Sequence, residues 1–154
     1  MYERILIPTD GSDVADSAVD HAVDLAAQYG ATVHALFVVD PEAVTYSLGS
    51  EQLDRLNEGR FGEMEELEAQ ANEATGYVAA AAREHGVDAV EELRVGKPHE
   101  VIANYAGGND IDLIVIGSHG RSGIRRALLG SVTERVLRST HRPVMVVDYR
   151  EPEE

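Results

Sequence analysis

The chain has 154 residues, 13 Lys and Arg against 28 Asp and Glu, a formal net charge of −15, and neither cysteine nor tryptophan. That length suits one domain with its own core, and the missing thiols exclude a disulfide framework and a thiolate metal site. The acidic balance argues against general nucleic-acid or membrane-surface binding, which needs a basic face.

No apolar run is long enough to cross a bilayer. Met1-Tyr-Glu-Arg4 leads straight into a strand and does not resemble a signal peptide, so the expectation is a cytoplasmic protein. Lys97 is the single lysine. Such an excess of acids with so little lysine reads either as halophilic, with the charge serving solubility in high salt, or as an ordinary acidic mesophilic protein.

In chain order, Arg4 to Pro8 is a short apolar run ended by proline, a buried strand. Ser12 to Tyr29 carries Val14, Ala18, Ala22, Leu25 and Ala26 at helical spacing, with Ser12 as N-cap and Gly30 as stop. Ala31 to Val39 is a second strand. Asp40 to Gly62, with Pro41 and three glycines, reads as a long loop. From Met64 the positions Met64, Leu67, Ala71, Ala74, Val78 and Ala81 mark one helix face. Val87 to Val95 is a weaker third strand, and Pro98 opens a helix that ends near Gly107-Gly108. Ile111 to Ile116 is strand four, Ser131 to Ser139 a short helix, and Pro143 to Val147 strand five. The tail from Arg150 to Glu154 reads as frayed, leaving one domain over residues 1–149.

Apolar strands alternating with helices predict an α/β fold, a single doubly wound open sheet of five parallel strands with helices on both faces. Ligands of such sheets sit beyond the carboxyl ends of the strands, where strand order reverses.

The most informative stretch runs from Gly117 to Ser131. It joins strand four to the short helix through Gly117, Gly120, Gly123 and Gly130. A glycine-rich turn entering a helix can gather backbone N–H groups around a phosphate. No acid occurs from Leu113 to Thr133, although Arg121, Arg125 and Arg126 do; composition alone would place about four acids there. The stretch is not a P-loop, since no Gly-Lys-Ser/Thr closes it, and no dinucleotide fingerprint follows strand one.

Several residues carry two readings. Ser131-Val-Thr-Glu134 fits a capping box, while the hydroxyls of Ser131 and Thr133 could also face a phosphate at a helix start. Asp10 is either a turn former or a carboxylate for a ribose, an adenine amine or a hydrated divalent ion. His119 is either solvent-facing or a proton donor or phosphate ligand. No histidine pair has metal-ligand spacing, and no Ser-His-Asp set can be assembled from motif context. No catalytic and no metal-ligating residue is assigned.

Gly117-x-x-Gly120, nine residues, then Gly130-Ser131, together with Pro8-Thr-Asp10 after strand one and Val38-Val-Asp40 after strand two, closely resembles the universal stress protein family. The likeness spans Arg4 to Val147. It implies strand order 3-2-1-4-5 and, because every glycine of the motif is present, the ATP-binding subgroup. By position it implies that Pro8, Thr9 and Asp10 lie beside the adenosine and that Val38 contacts the adenine through its backbone. Gly117, Ser118, His119, Gly120, Arg121, Ser122 and Gly123 then line ribose and phosphates, and Gly130, Ser131, Val132 and Thr133 hold the phosphates. ATP or AMP is the implied cofactor, with Mg or Mn held through phosphate oxygens. The family also implies a homodimer through strand 143–147, since an unpaired apolar edge strand is otherwise a liability. The implied role is a stress-response sensor or regulatory module with weak or partner-dependent hydrolysis. The alternatives are a true ATPase or nucleotidyl-transferring enzyme, and a dimeric interaction protein without nucleotide.

Overall fold

The structure is a computed structural model that describes residues 1–42, 61–119 and 129–148. The strands are β1 (Arg4–Pro8), β2 (Thr32–Val39), β3 (Ala89–Val95), β4 (Leu113–Gly117) and β5 (Val144–Val147). The helices are α1 (Asp13–Tyr29), α2 (Phe61–Glu84), α3 (Pro98–Gly108) and α4 (Ser131–Ser139). All four strand pairings are parallel, and the order is β3-β2-β1-β4-β5. The expected architecture and order are both found.

Side chains alternate between the two faces of each strand, so each face needs its own cover. Ile5, Ile7, Val33, Ala35, Leu113 and Val115 pack against the small residues Ala18, Ala22 and Ala26 of α1 and against Val78 and Ala82 of α2. Leu6, Leu36, Ile114 and Ile116 pack against Ile102, Tyr105 and Ala106 of α3 and Val136 of α4. With few aromatic residues, close helix–sheet contact rests on alanine and branched aliphatics, and Ile5, Leu6, Ile7 and Ile114 are fully buried.

Both ends of α1 follow the expectation: Ser12 Oγ accepts from Ala15 N at 3.2 Å, and Gly30 adopts φ 67°, the left-handed cap that glycine takes without strain. The α2 stripe departs by one residue at its end. Its buried positions are Ala71, Ala74, Thr75, Val78 and Ala82, while Ala81 is only partly buried. Strict 3-4 spacing averages 3.5 residues per turn and a straight helix has 3.6, so the seam slips along a helix of this length. The α2 helix begins at Phe61, inside the stretch expected to be loop; residues 43–60 of that loop lie outside the described residues, as does the tail from 149 onward. Val87 and Ile111 are buried but precede their strands. Their N–H groups bond back to Ala82 O and Ala106 O, so they belong to the helix-to-strand turns.

Asp112 ties β4 to the start of β1: its Oδ2 accepts from Glu3 N at 2.8 Å and Arg4 N at 3.0 Å. The Glu3 N–H bond, then the Arg4 N–H and the Arg4 and Arg142 charges, hold its carboxyl below the usual range against the opposing effect of burial. His34 Nδ1 lies 2.7 Å from Tyr105 Oη; burial, then the Arg4 charge, lowers its pKa, with Glu92 opposing. Both folded values lie below the unfolded ones. Each contribution is therefore fully present above the unfolded pKa and is lost as pH falls through the folded value. Urea unfolding midpoints should fall first through the imidazole range and again through the carboxylate range. Asp112→Asn should flatten the second fall and leave the first; an unchanged acid slope would contradict the clasp.

Candidate nucleotide site

Because every strand is parallel, Pro8, Val38, Gly117 and Val147 all lie at or near one edge of the sheet. The order reverses between β1 and β4, which pair directly through Ile5–Leu113 and Leu6–Ile114. The turn after β1 is held by its own polar groups. Thr9 is 6% exposed; its N–H bonds to Leu36 O at 2.9 Å and its Oγ1 accepts from Gly11 N at 3.1 Å. Asp10 Oδ1 accepts from Ser12 N at 2.9 Å, the turn-forming role weighed for it. Gly11 has φ 78°, and a side chain there would be strained. Val38 is half-buried, lies opposite Arg94 in the β2–β3 register, and packs toward the α3 face.

On the β4 side, Gly117 is demanded by packing. A Cβ there would stand 2.8 Å from Val14 Cγ1 and 3.2 Å from the Val14 carbonyl carbon and oxygen, so the first turn of α1 rests on it. Ser118 N bonds to Val147 O at 2.8 Å, and Ser118 O accepts from Gly130 N at 2.7 Å. That second bond brings the start of α4 back beside β4. Gly130 needs its missing side chain too, since a Cβ would meet His119 Cα at 3.0 Å and His119 Cβ at 3.2 Å.

The capping-box reading of Ser131 is corrected here. The N-cap of α4 is Gly130, with φ −64° and ψ 157°, which has no side chain to cap the helix. Ser131 is the first helical residue and is exposed. The earliest intrahelical bond runs from Glu134 N to Gly130 O at 3.0 Å, so the N–H groups of Ser131, Val132 and Thr133 have no partner within the helix. Those amides and the positive end of the helix dipole open beside the carboxyl ends of β1 and β4. Thr133 faces inward: 3% exposed, its hydroxyl donates to Gly117 O at 2.7 Å, so that proton is committed to the sheet edge. Thr133→Val should leave Gly117 O short of a donor and lower stability by about 1–2 kcal/mol, read from denaturant midpoints at constant slope. An unchanged midpoint would show that the bond contributes nothing.

The fold thus gathers Pro8, Thr9, Asp10, Gly117, Ser118, His119, Gly130, Ser131, Val132 and Thr133 at one mouth, with Val38 at the end of neighbouring β2. Gly120, Arg121, Ser122 and Gly123, with Arg125 and Arg126, lie outside the described residues. Sequence reasoning missed Val14 as the reason for Gly117, and it missed Asp148, which accepts from Ser118 Oγ at 2.9 Å. Asp148 was detectable by the rule that selected Asp10 and Asp40, a carboxylate just past a strand's carboxyl end. Among the described residues no cluster of three or more His, Asp or Glu could hold a metal ion, and no helix is long and apolar enough to cross a membrane.

An all-parallel, doubly wound sheet with its turns converging at the reversal point defines the α/β class whose ligands sit beyond the strand ends. The model of the universal stress protein family matches residues 1–148, and the chain belongs to that family. A universal stress protein of Methanocaldococcus jannaschii is 40% identical over 149 residues, which are 96% of this chain and 82% of that one. The solved structure of another protein from that archaeon, 30% identical, superposes with a TM-score of 0.77 and covers 99% of both chains. A universal stress protein crystallised in complex with cAMP is 29% identical, with a TM-score of 0.65, covering 97% of this chain and 98% of that one.

Proposed function

We propose that the protein binds an adenine nucleotide, ATP or AMP, at the mouth between β1 and β4, and acts as a stress-response sensor or regulatory module. The observation that carries this reading is the start of α4, capped by a glycine without a side chain and held against the β4 turn by the bond from Gly130 N to Ser118 O. Three amides without a partner inside the helix, at its dipole's positive end, suit a phosphate. The relative crystallised with cAMP supports an adenine nucleotide as the ligand class. Thr9 and Asp10 are set to meet the nucleoside, and Ser131 and Val132 the phosphates. By position in the motif, Gly120, Arg121, Ser122 and Gly123 are proposed to contact the phosphates as well. Mg or Mn, when present, is proposed to be held by phosphate oxygens.

The protein is proposed to pair as a homodimer through β5. Val144, Met145 and Val146 on this edge strand are only half-buried, and nearby α4 leaves Val132 and Leu137 36% and 40% exposed. Sedimentation in high salt should give twice the chain mass, and Val144→Glu with Val146→Glu should give the single-chain mass. A monomer before substitution would contradict the pairing.

Mass spectrometry of gently purified protein, followed by calorimetry with Mg-ATP in high salt, tests the nucleotide reading. A co-purified adenine nucleotide or saturable binding is expected. Finding neither would favour an interaction protein without nucleotide, and rapid turnover would favour a true ATPase.

A further inference from the structure

Motif context alone assembled no Ser-His-Asp set, yet the fold assembles one at the carboxyl edge. Ser118 is 4% exposed; its Oγ lies 2.9 Å from Asp148 Oδ1 and 3.2 Å from His119 Nδ1. An ionised carboxylate only accepts, so the serine proton points to Asp148. The serine oxygen is then an acceptor toward His119, and Nδ1 meets it as N–H. A neutral imidazole with its proton on Nδ1 has Nε2 as its bare acceptor. The chain runs one way, from Nδ1–H to Oγ–H to Oδ1.

The backbone around this chain is fixed on both sides, by Ser118 N to Val147 O at 2.8 Å and Gly130 N to Ser118 O at 2.7 Å. The stem of His119 lies against Gly130, where a Cβ would come within 3.2 Å of His119 Cβ. His119 therefore stands beside the first turn of α4. Among the described residues, the polar side chains in this chain of bonds are Asp148 after β5 and Ser118 after β4.

We propose that His119 is the proton acceptor for hydrolysis of the bound nucleotide's terminal phosphoanhydride, with Ser118 and Asp148 as positioning residues. This rests on the nucleotide reading above and adds a reaction to it. His119 Nε2 takes a proton from water as the water oxygen bonds to the terminal phosphorus. The bond from that phosphorus to the bridging oxygen breaks, and ADP leaves with the electron pair. The imidazolium then returns its proton to solvent.

The test is phosphate release from Mg-ATP by the full chain in high salt, with ATP affinity measured alongside. The unaltered chain should turn over slowly. His119→Ala should still bind ATP, turn over about a hundredfold more slowly, and recover when imidazole is added to the buffer. Asp148→Asn keeps an oxygen for Ser118 but loses the charge; it should lower kcat less than His119→Ala does and leave the KM for ATP unmoved, a split that a purely structural role would not produce. Equal turnover by His119→Ala, or a loss that imidazole leaves untouched, overturns the proposal. ATP binding without turnover by the unaltered chain overturns it alone, whereas no ATP binding overturns the nucleotide reading and this proposal together.

Discussion

Gly130→Glu is expected to lower ATP affinity at least tenfold, about 1.4 kcal/mol or more. Two effects combine. Any Cβ at this position comes within 3.0 Å of His119 Cα and 3.4 Å of Ser118 O, so the β4 turn and the start of α4 must separate slightly. The added carboxylate then occupies the positive end of the helix dipole, where a phosphate would sit. Those effects are separable. Gly130→Gln carries the same steric demand without the charge, so affinity should order Gly above Gln above Glu. The same carboxylate favours the helix itself, so Gly130→Glu should not unfold more readily than Gly130→Gln. Equal affinities for Gly130, Gln and Glu, with intact folding, would remove α4 from the binding surface.

Gly117→Ala is expected to lower stability by about 1–3 kcal/mol through overpacking, a drop in melting temperature of roughly 2–4 °C per kcal/mol at this chain length. The clash has two parts. The contact at 2.8 Å is with the end of the Val14 side chain, which can be trimmed; the contacts at 3.2 Å are with Val14 backbone, which cannot. Adding Val14→Ala to Gly117→Ala should therefore recover only part of the loss. Gly107→Ala is the matched control: a Cβ there meets nothing within 4 Å, and it lies inside α3, where alanine should stabilise by about 0.5–1 kcal/mol. If Gly117→Ala behaved like Gly107→Ala, the seating of α1 on the end of β4 would be wrong.

The parts of the fold legible in the sequence were those governed by local rules. Apolar runs such as Arg4–Pro8 and the α1 stripe ending at Gly30 have only one way to bury themselves, and their alternation demanded a parallel sheet with two covered faces. The site's location was legible for the same reason, because a parallel sheet puts Asp10, Gly117 and Gly130 on one edge whatever the details. What escaped was set by contacts between segments distant in sequence. Gly117 reads as ligand-facing until Val14 is seen beside it. Ser131 reads as an N-cap because Ser-x-x-Glu is the same pattern whether it begins at the cap or one residue later, and the bond from Gly130 N to Ser118 O decides between them. Thr133 reads as a second hydroxyl for phosphate, but the approach of α4 to β4 turns it onto Gly117 O. Asp148 was invisible as a partner of Ser118 because 30 residues separate them.

The central claim is that backbone amides at the start of α4 meet the nucleotide's phosphates at the reversal between β1 and β4. Titrating isotope-labelled protein with Mg-ATP in high salt, while following amide resonances, tests it most directly. Ser131, Val132 and Thr133 should shift saturably together with Thr9 to Gly11, while Gly86, in the turn before β3 at the opposite edge, stays still. Unmoved amides at 131–133 under saturating nucleotide would contradict the account.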